Sequence, residues 1–134
     1  MNPKVGGVVI KEVAIKVLDE KGLELIEALE AVGVKRNVAT IIVHLTYLGE
    51  TRSKDIETRG DLRQPEVSIA MSMLRKHGWI AERDIKKEGK GRPMTLYKLT
   101  VSIDDIIEYY EKEKQSEISQ VMQSIQRLKE IAAT

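Results

Sequence analysis

Between residues 35 and 80 the apolar positions recur at intervals of three and four, the period of a helix with one face inward. In "KRNVATIIVHLTYLG" (35–49), Val38, Ile41, Ile42, Leu45 and Leu48 share a face and Gly49 stops the repeat. Upstream, Val13, Val17 and Leu18 are spaced for a helix over 11–20, punctuated by Gly22, and Leu23, Ile26, Leu29 and Val32 continue the spacing to Gly33. Downstream, "TRSKDIETRGDL" (51–62) reads as a short helix, with Ser53 as N-cap, Ile56 inward and Gly60 in the left-handed position after the last turn. The period then changes. "WIAERDI" and "MTLYKLTV" read as strands joined by "KKEGKGRP", whose glycines and proline suit a loop. After Ser102, a candidate cap, a long helix is predicted over 104–132.

The helix opening "QPEVSIAMSMLRKH" (64–77) has two unlike faces. With 100° per residue from Gln64, one arc holds Val67, Ala70, Met71, Leu74 and His77, a core face. The other holds Gln64, Pro65, Ser68, Ile69, Ser72, Arg75 and Lys76. Pro65 is tolerated in a first turn, and Glu66 complements the positive end of the helix. A solvated face of low charge is one reading of the polar arc. The other is contact with a nucleic acid, because short side chains let the backbone approach a partner. Gln can pair with adenine, Ser can serve base edges or phosphates, and Ile69 can meet a thymine methyl.

Context favours the second reading. A short helix, a tight turn and a second helix follow the helix-turn-helix plan, whose second helix enters the major groove. The hairpin tip behind it carries Lys86, Lys87, Lys90 and Arg92, cations suited to phosphates or a minor groove. Charge points the same way. Residues 1–51 hold 6 basic and 7 acidic side chains, residues 52–98 hold 12 and 7, and residues 99–134 hold 4 and 7. The net +1 therefore hides a basic middle between two mildly acidic ends.

Together "LRQPEVS", "LRKHGWI" and "GRPMTLYKLT" resemble the winged helix-turn-helix domain of prokaryotic transcription regulators, notably the TrmB-like and MarR-like groups common in archaea. The resemblance covers residues 35–101. It implies a mainly α fold with a small β-hairpin wing, a recognition helix beginning near Gln64 and a wing at 86–92. It also implies that Gln64, Pro65, Ser68, Ile69 and Ser72 face bases, while Arg75, Lys76 and the wing cations meet phosphates. Arg63 stands where such domains usually have a Ser or Thr cap, and Ile69 and Met73 where charged residues often lie. The expected organisation is an N-terminal helical segment (1–34), the winged domain (35–101) and a C-terminal dimerisation helix (102–134).

For that last helix, Ile118, Val121, Ile125, Leu128 and Ala132 follow 3-4-3-4 spacing, a seam of about two heptads with Met122 beside it. A homodimer is expected, with the 11–20 helix a candidate to join the interface. Two-fold symmetry would present two recognition helices to a palindromic site. Tyr109 and Tyr110 are candidate lining for a small-molecule pocket, so an effector of unknown identity is a further partner left open; Trp79 is expected to pack at the start of the first wing strand.

Other classes find less support. There is no Cys, and neither His44 nor His77 has a carboxylate at metal-ligand spacing. "GKGRP" lacks the Lys-Ser/Thr of a phosphate-binding loop, and no cofactor or enzyme activity is implied. No apolar run nears the roughly 20 residues of a membrane span, and the start "MNPKVGGVVIKEV" lacks a signal-peptide pattern, so a cytoplasmic protein is expected. The expected function is sequence-specific binding of double-stranded promoter DNA as a homodimer. The alternatives are a winged-helix protein-interaction module and a non-specific architectural DNA-binding protein.

Overall fold

The structure, a computed structural model, describes residues 18–86 and 94–134. Two units are distinguished, Met1–Ser102 and Ile103–Thr134.

In the first unit a π-helical stretch, Leu18–Gly22, runs directly into helix α1, Leu23–Ala31. Gly22 is therefore no break: its φ of −62° and ψ of −43° are helical. The part of the expected 11–20 helix before Leu18 lies outside the described residues. Ile26 and Leu29 are buried, but Leu23 and Val32, expected on the same face, are exposed. Gly33, at φ 101°, turns the chain so that Val34 is buried in place of Val32.

Helix α2, Arg36–Leu48, is the centre of the unit: every residue from Val38 to Leu45 is buried. Its two faces are thus both covered, more than the single apolar stripe implied. Burial of its polar members is met locally. Thr40 Oγ1 donates to the Arg36 carbonyl at 2.8 Å, and His44 Nδ1 donates to the Thr40 carbonyl at 2.7 Å.

After Gly49 (φ 71°) comes a strand absent from the sequence reading, β1 (Thr51–Arg52), then helix α3, Ser53–Gly60. Ser53 is thus the first helical residue and Arg52 the N-cap. The left-handed residue is Asp61, at φ 52° and ψ 47°, not Gly60. Asp tolerates that conformation because its short polar side chain can bond locally. Gly60 serves close packing instead: a Cβ there would lie 3.2 Å from Thr40 Cγ2 and 3.3 Å from Leu62 Cδ1.

Helix α4, Gln64–His77, seats Val67, Ala70, Met71 and Leu74 in the core beside Ile41, Ile42 and Ile56. His77, assigned to that face by the wheel, is exposed and stacks on Trp79 with ring centroids 4.0 Å apart. Its position is the last before Gly78, whose left-handed φ of 74° ends the helix. Trp79 is buried ahead of strand β2, Ile80–Ile85, and its carbonyl accepts from the Thr100 N–H at 2.8 Å. Strand β3, Met94–Leu99, pairs antiparallel with β2 from Ile80↔Leu99 to Ile85↔Met94, and with β1 through Thr51↔Tyr97 and Arg52↔Leu96. The sheet order is β1-β3-β2. Helix-turn-helix followed by this hairpin, with β1 closing the sheet, is a winged helix-turn-helix.

The second unit is helix α5, Ile103–Ala133, roughly 46 Å long at 1.5 Å per residue. No helix among the described residues is long and apolar enough to cross a membrane.

Candidate nucleic-acid interface

Two short-range devices fix α4. Arg63 takes the N-cap position in extended conformation, without a side-chain cap. The cap is supplied from inside the helix: Glu66 Oε1 accepts the Arg63 backbone N–H at 2.9 Å. The other oxygen of Glu66 accepts from Asn37 Nδ2 of α2 at 3.2 Å. One carboxylate therefore closes the helix start and ties it to the central helix. The sequence reading gave Glu66 only a dipole role; the Glu at the third helical position was the available signal.

With the apolar arc buried, Gln64, Pro65, Ser68, Ile69, Ser72, Arg75 and Lys76 are all exposed. Ile69, with 65% of its surface accessible, is a large apolar side chain facing solvent. From Gln64 to Ser72 the helix rises about 12 Å, with serines at successive near-turn positions. A helix of 10–12 Å overall diameter matches a major groove about 12 Å wide, and short side chains on an outward face leave the backbone open to close approach by a partner.

The cations are less alike than the sequence suggests. Lys76 is exposed, whereas Arg75 is forked by a carboxylate of β2: Nε donates to Glu82 Oε1 at 2.6 Å and Nη2 to Oε2 at 3.2 Å. That bond raises the Arg75 pKa above its ordinary value. Arg83 is likewise forked by Glu50, at 2.8 and 2.7 Å, and this bond holds the Glu50 carboxyl below its usual range. Of the wing cations, Lys86 is exposed, while Lys87, Lys90 and Arg92 lie outside the described residues. Three exposed cations to which the sequence reading assigned no phosphate contact, Lys54, Arg59 and Arg63, stand on α3 and the turn into α4. The helix-turn-helix plan was the signal that would have found them, since its first helix crosses the nucleic-acid backbone.

On α5, Ile118, Val121, Met122, Ile125, Leu128 and Ala132 are all exposed, and Ile131, absent from the expected seam, adds to the apolar surface. Tyr109 and Tyr110 meet edge to face, with centroids 5.2 Å apart. Within the first unit, a cleft of about 200 Å³ is lined by Leu23, Ile26, Arg36, Thr40, His44 and Arg59. Among the described residues no group of three or more metal-ligating side chains could hold a metal ion.

No protein-family model matches the chain, and no curated protein matches it. Among solved structures, NadR in complex with 4-hydroxyphenylacetate is similar at a TM-score of 0.49 and 18% identity, over 99% of this chain and 91% of that one. A MarR family regulator from Neisseria meningitidis gives 0.46 and 15%, over 85% and 92%. The circadian clock associated protein Pex from Anabaena gives 0.44 and 22%, over 64% and 80%. The winged helix-turn-helix assignment stands on the element order and strand pairing of this chain itself.

Proposed function

We propose that this protein is a homodimeric transcription regulator of the MarR-like or TrmB-like kind that recognises specific sites in double-stranded promoter DNA. The observation that carries the reading is the division of α4, whose apolar arc is buried while its short polar arc and Ile69 face outward at the leading end of the helix. In this reading Gln64, Pro65, Ser68, Ile69 and Ser72 meet base edges. Lys76 and the wing residues Lys86, Lys87, Lys90 and Arg92 hold phosphates, joined by Lys54, Arg59 and Arg63. The exposed apolar face of α5 closes the dimer, giving two recognition helices for an inverted repeat.

The test is selection of the purified protein against a random duplex pool at about physiological salt. An enriched inverted repeat with half-sites roughly one helical turn apart supports dimeric specific binding. Salt-sensitive retention without enrichment indicates an architectural role, and no retention favours a protein-interaction module. On the enriched site, Gln64→Ala is expected to cost about 1–3 kcal/mol at one base position while leaving random-duplex affinity unchanged. Equal losses on both duplexes would remove Gln64 from base readout.

A further inference from the structure

Part of the positive charge in the middle of the chain is neutralised from within. Among the described residues between 52 and 98 there are five arginines, and three are forked by carboxylates: Arg52 by Asp55, Arg75 by Glu82 and Arg83 by Glu50. Only one of the three stands on the recognition helix. Arg75 lies at about 20° on the wheel, in line with Gln64 and Ser68 and three turns along from Gln64.

The edge of Arg75 that Glu82 occupies, Nε with Nη2, is one that a DNA phosphate can take in bidentate fashion. Glu82 is placed on β2 opposite Tyr97 of β3. The guanidinium is thus drawn to the sheet by a carboxylate of β2. Both members of the ion pair remain half-exposed, with 45% and 40% of their side chains accessible, so a phosphate can reach the fork without unfolding anything. In water such a pair is held by about 1 kcal/mol or less, weak enough to be exchanged.

We infer that Glu82 is a specificity-determining residue: its carboxylate stands in for phosphate on Arg75 and yields only to a closely docked duplex. This rests on the DNA-binding reading above. A random duplex held loosely by long-range attraction meets Arg75 already neutralised. A matched site, which lets α4 settle into the groove, brings a phosphate within hydrogen-bond distance and exchanges it for Glu82. Glu82 therefore reduces the sequence-independent part of binding more than the specific part.

The experiment compares wild type, Glu82→Gln, Arg75→Gln and the double variant on the selected site and on a random duplex of equal length, across a salt series. Glu82→Gln is expected to tighten random-duplex binding by about 3- to 10-fold near 0.1 M salt and to steepen the salt slope by about 0.9, the signature of one added phosphate contact. The selected site gains less, so the ratio between the two falls. Arg75→Gln alone leaves the Glu82 carboxylate unpaired, so it weakens random-duplex binding by a few-fold through the lost charge, and it weakens the selected site further, because the phosphate contact is lost there as well. The double variant loses the Glu82→Gln gain. Matching thermal melts show that all four chains are folded. An unchanged or weakened random-duplex affinity in Glu82→Gln, or a gain that survives in the double variant, overturns the role of Glu82 while leaving DNA binding intact. A wild-type chain that binds no duplex overturns the DNA-binding reading, and the role of Glu82 with it.

Discussion

If the chain is the proposed homodimer, replacing Ile125 and Leu128 together by glutamate is expected to leave a 15.1 kDa monomer where the wild-type chain is expected at twice that mass. It will also weaken binding to an inverted-repeat site by at least about 100-fold. Ile118, Val121, Met122, Ile125, Leu128 and Ile131 are all exposed on one helix, with Ile118 at 63% and Leu128 at 65%. Covering an exposed aliphatic side chain completely stabilises by about 1.5–3 kcal/mol, so the six together supply a strong reason to associate. A glutamate at the middle of that surface would have to be buried unpaired, at a cost of several kcal/mol. In the proposed dimer, loss of the second copy of α4 would remove the intramolecular second contact, the source of the expected affinity change. Lys112→Ala is the control, since Lys112 pairs with Glu108 at 3.1 Å on the exposed surface and its removal should change neither mass nor affinity. Sedimentation and a binding titration decide the matter, and a wild-type chain that sediments as a monomer at binding concentrations would defeat it.

The second large effect is on stability. Leu74→Ala is expected to cost about 2–5 kcal/mol, because Leu74 is fully buried and its removal leaves a cavity where α4 rests on the core. For a domain of this size that lowers the melting temperature by roughly 10–20 °C. Ile69→Ala, five residues earlier and on the opposite side of the same helix, should change stability by no more than about 0.5 kcal/mol. It should nevertheless weaken a site that places a thymine methyl against it. Calorimetric melts beside binding titrations on the selected site separate the two roles. Equal destabilisation by both substitutions would mean that the two faces of α4 are not divided as the structure has them.

That division was legible in the sequence, because a helix buries residues three and four apart and α4 departs from the wheel only at His77. His77 is the last helical residue, and no element covers it before Gly78 turns the chain. The two strands of the hairpin were legible for a similar reason, through the change from a helical to a strand period at Trp79, whereas their register from Ile80↔Leu99 to Ile85↔Met94 was not. The turn between α3 and α4 was not read correctly. A glycine beside an aspartate points to the glycine as the left-handed residue, yet Thr40 and Leu62 press against Gly60 and the positive φ falls on Asp61. Strand β1 was equally hidden: two residues carry no period, and only the edge of β3 makes Thr51 and Arg52 a strand.

The candidate site followed the same rule. Membership of the outward arc of α4 depends on spacing along one helix, so Gln64, Ser68, Ile69 and Ser72 could be named from the chain alone, and each is exposed. The state of each charge could not be named, since it depends on partners distant in sequence: Arg75 on Glu82 across a turn, Arg83 on Glu50 33 residues away, Glu66 on Asn37 29 residues away. By itself the sequence determined the helices, the hairpin and which side of α4 faces out, all properties of local period. Only the tertiary structure decided which cations are already paired and that the capping carboxylate, Glu66, is also held by Asn37. Those outcomes depend on distances of a few ångströms between groups that only the packed elements bring together.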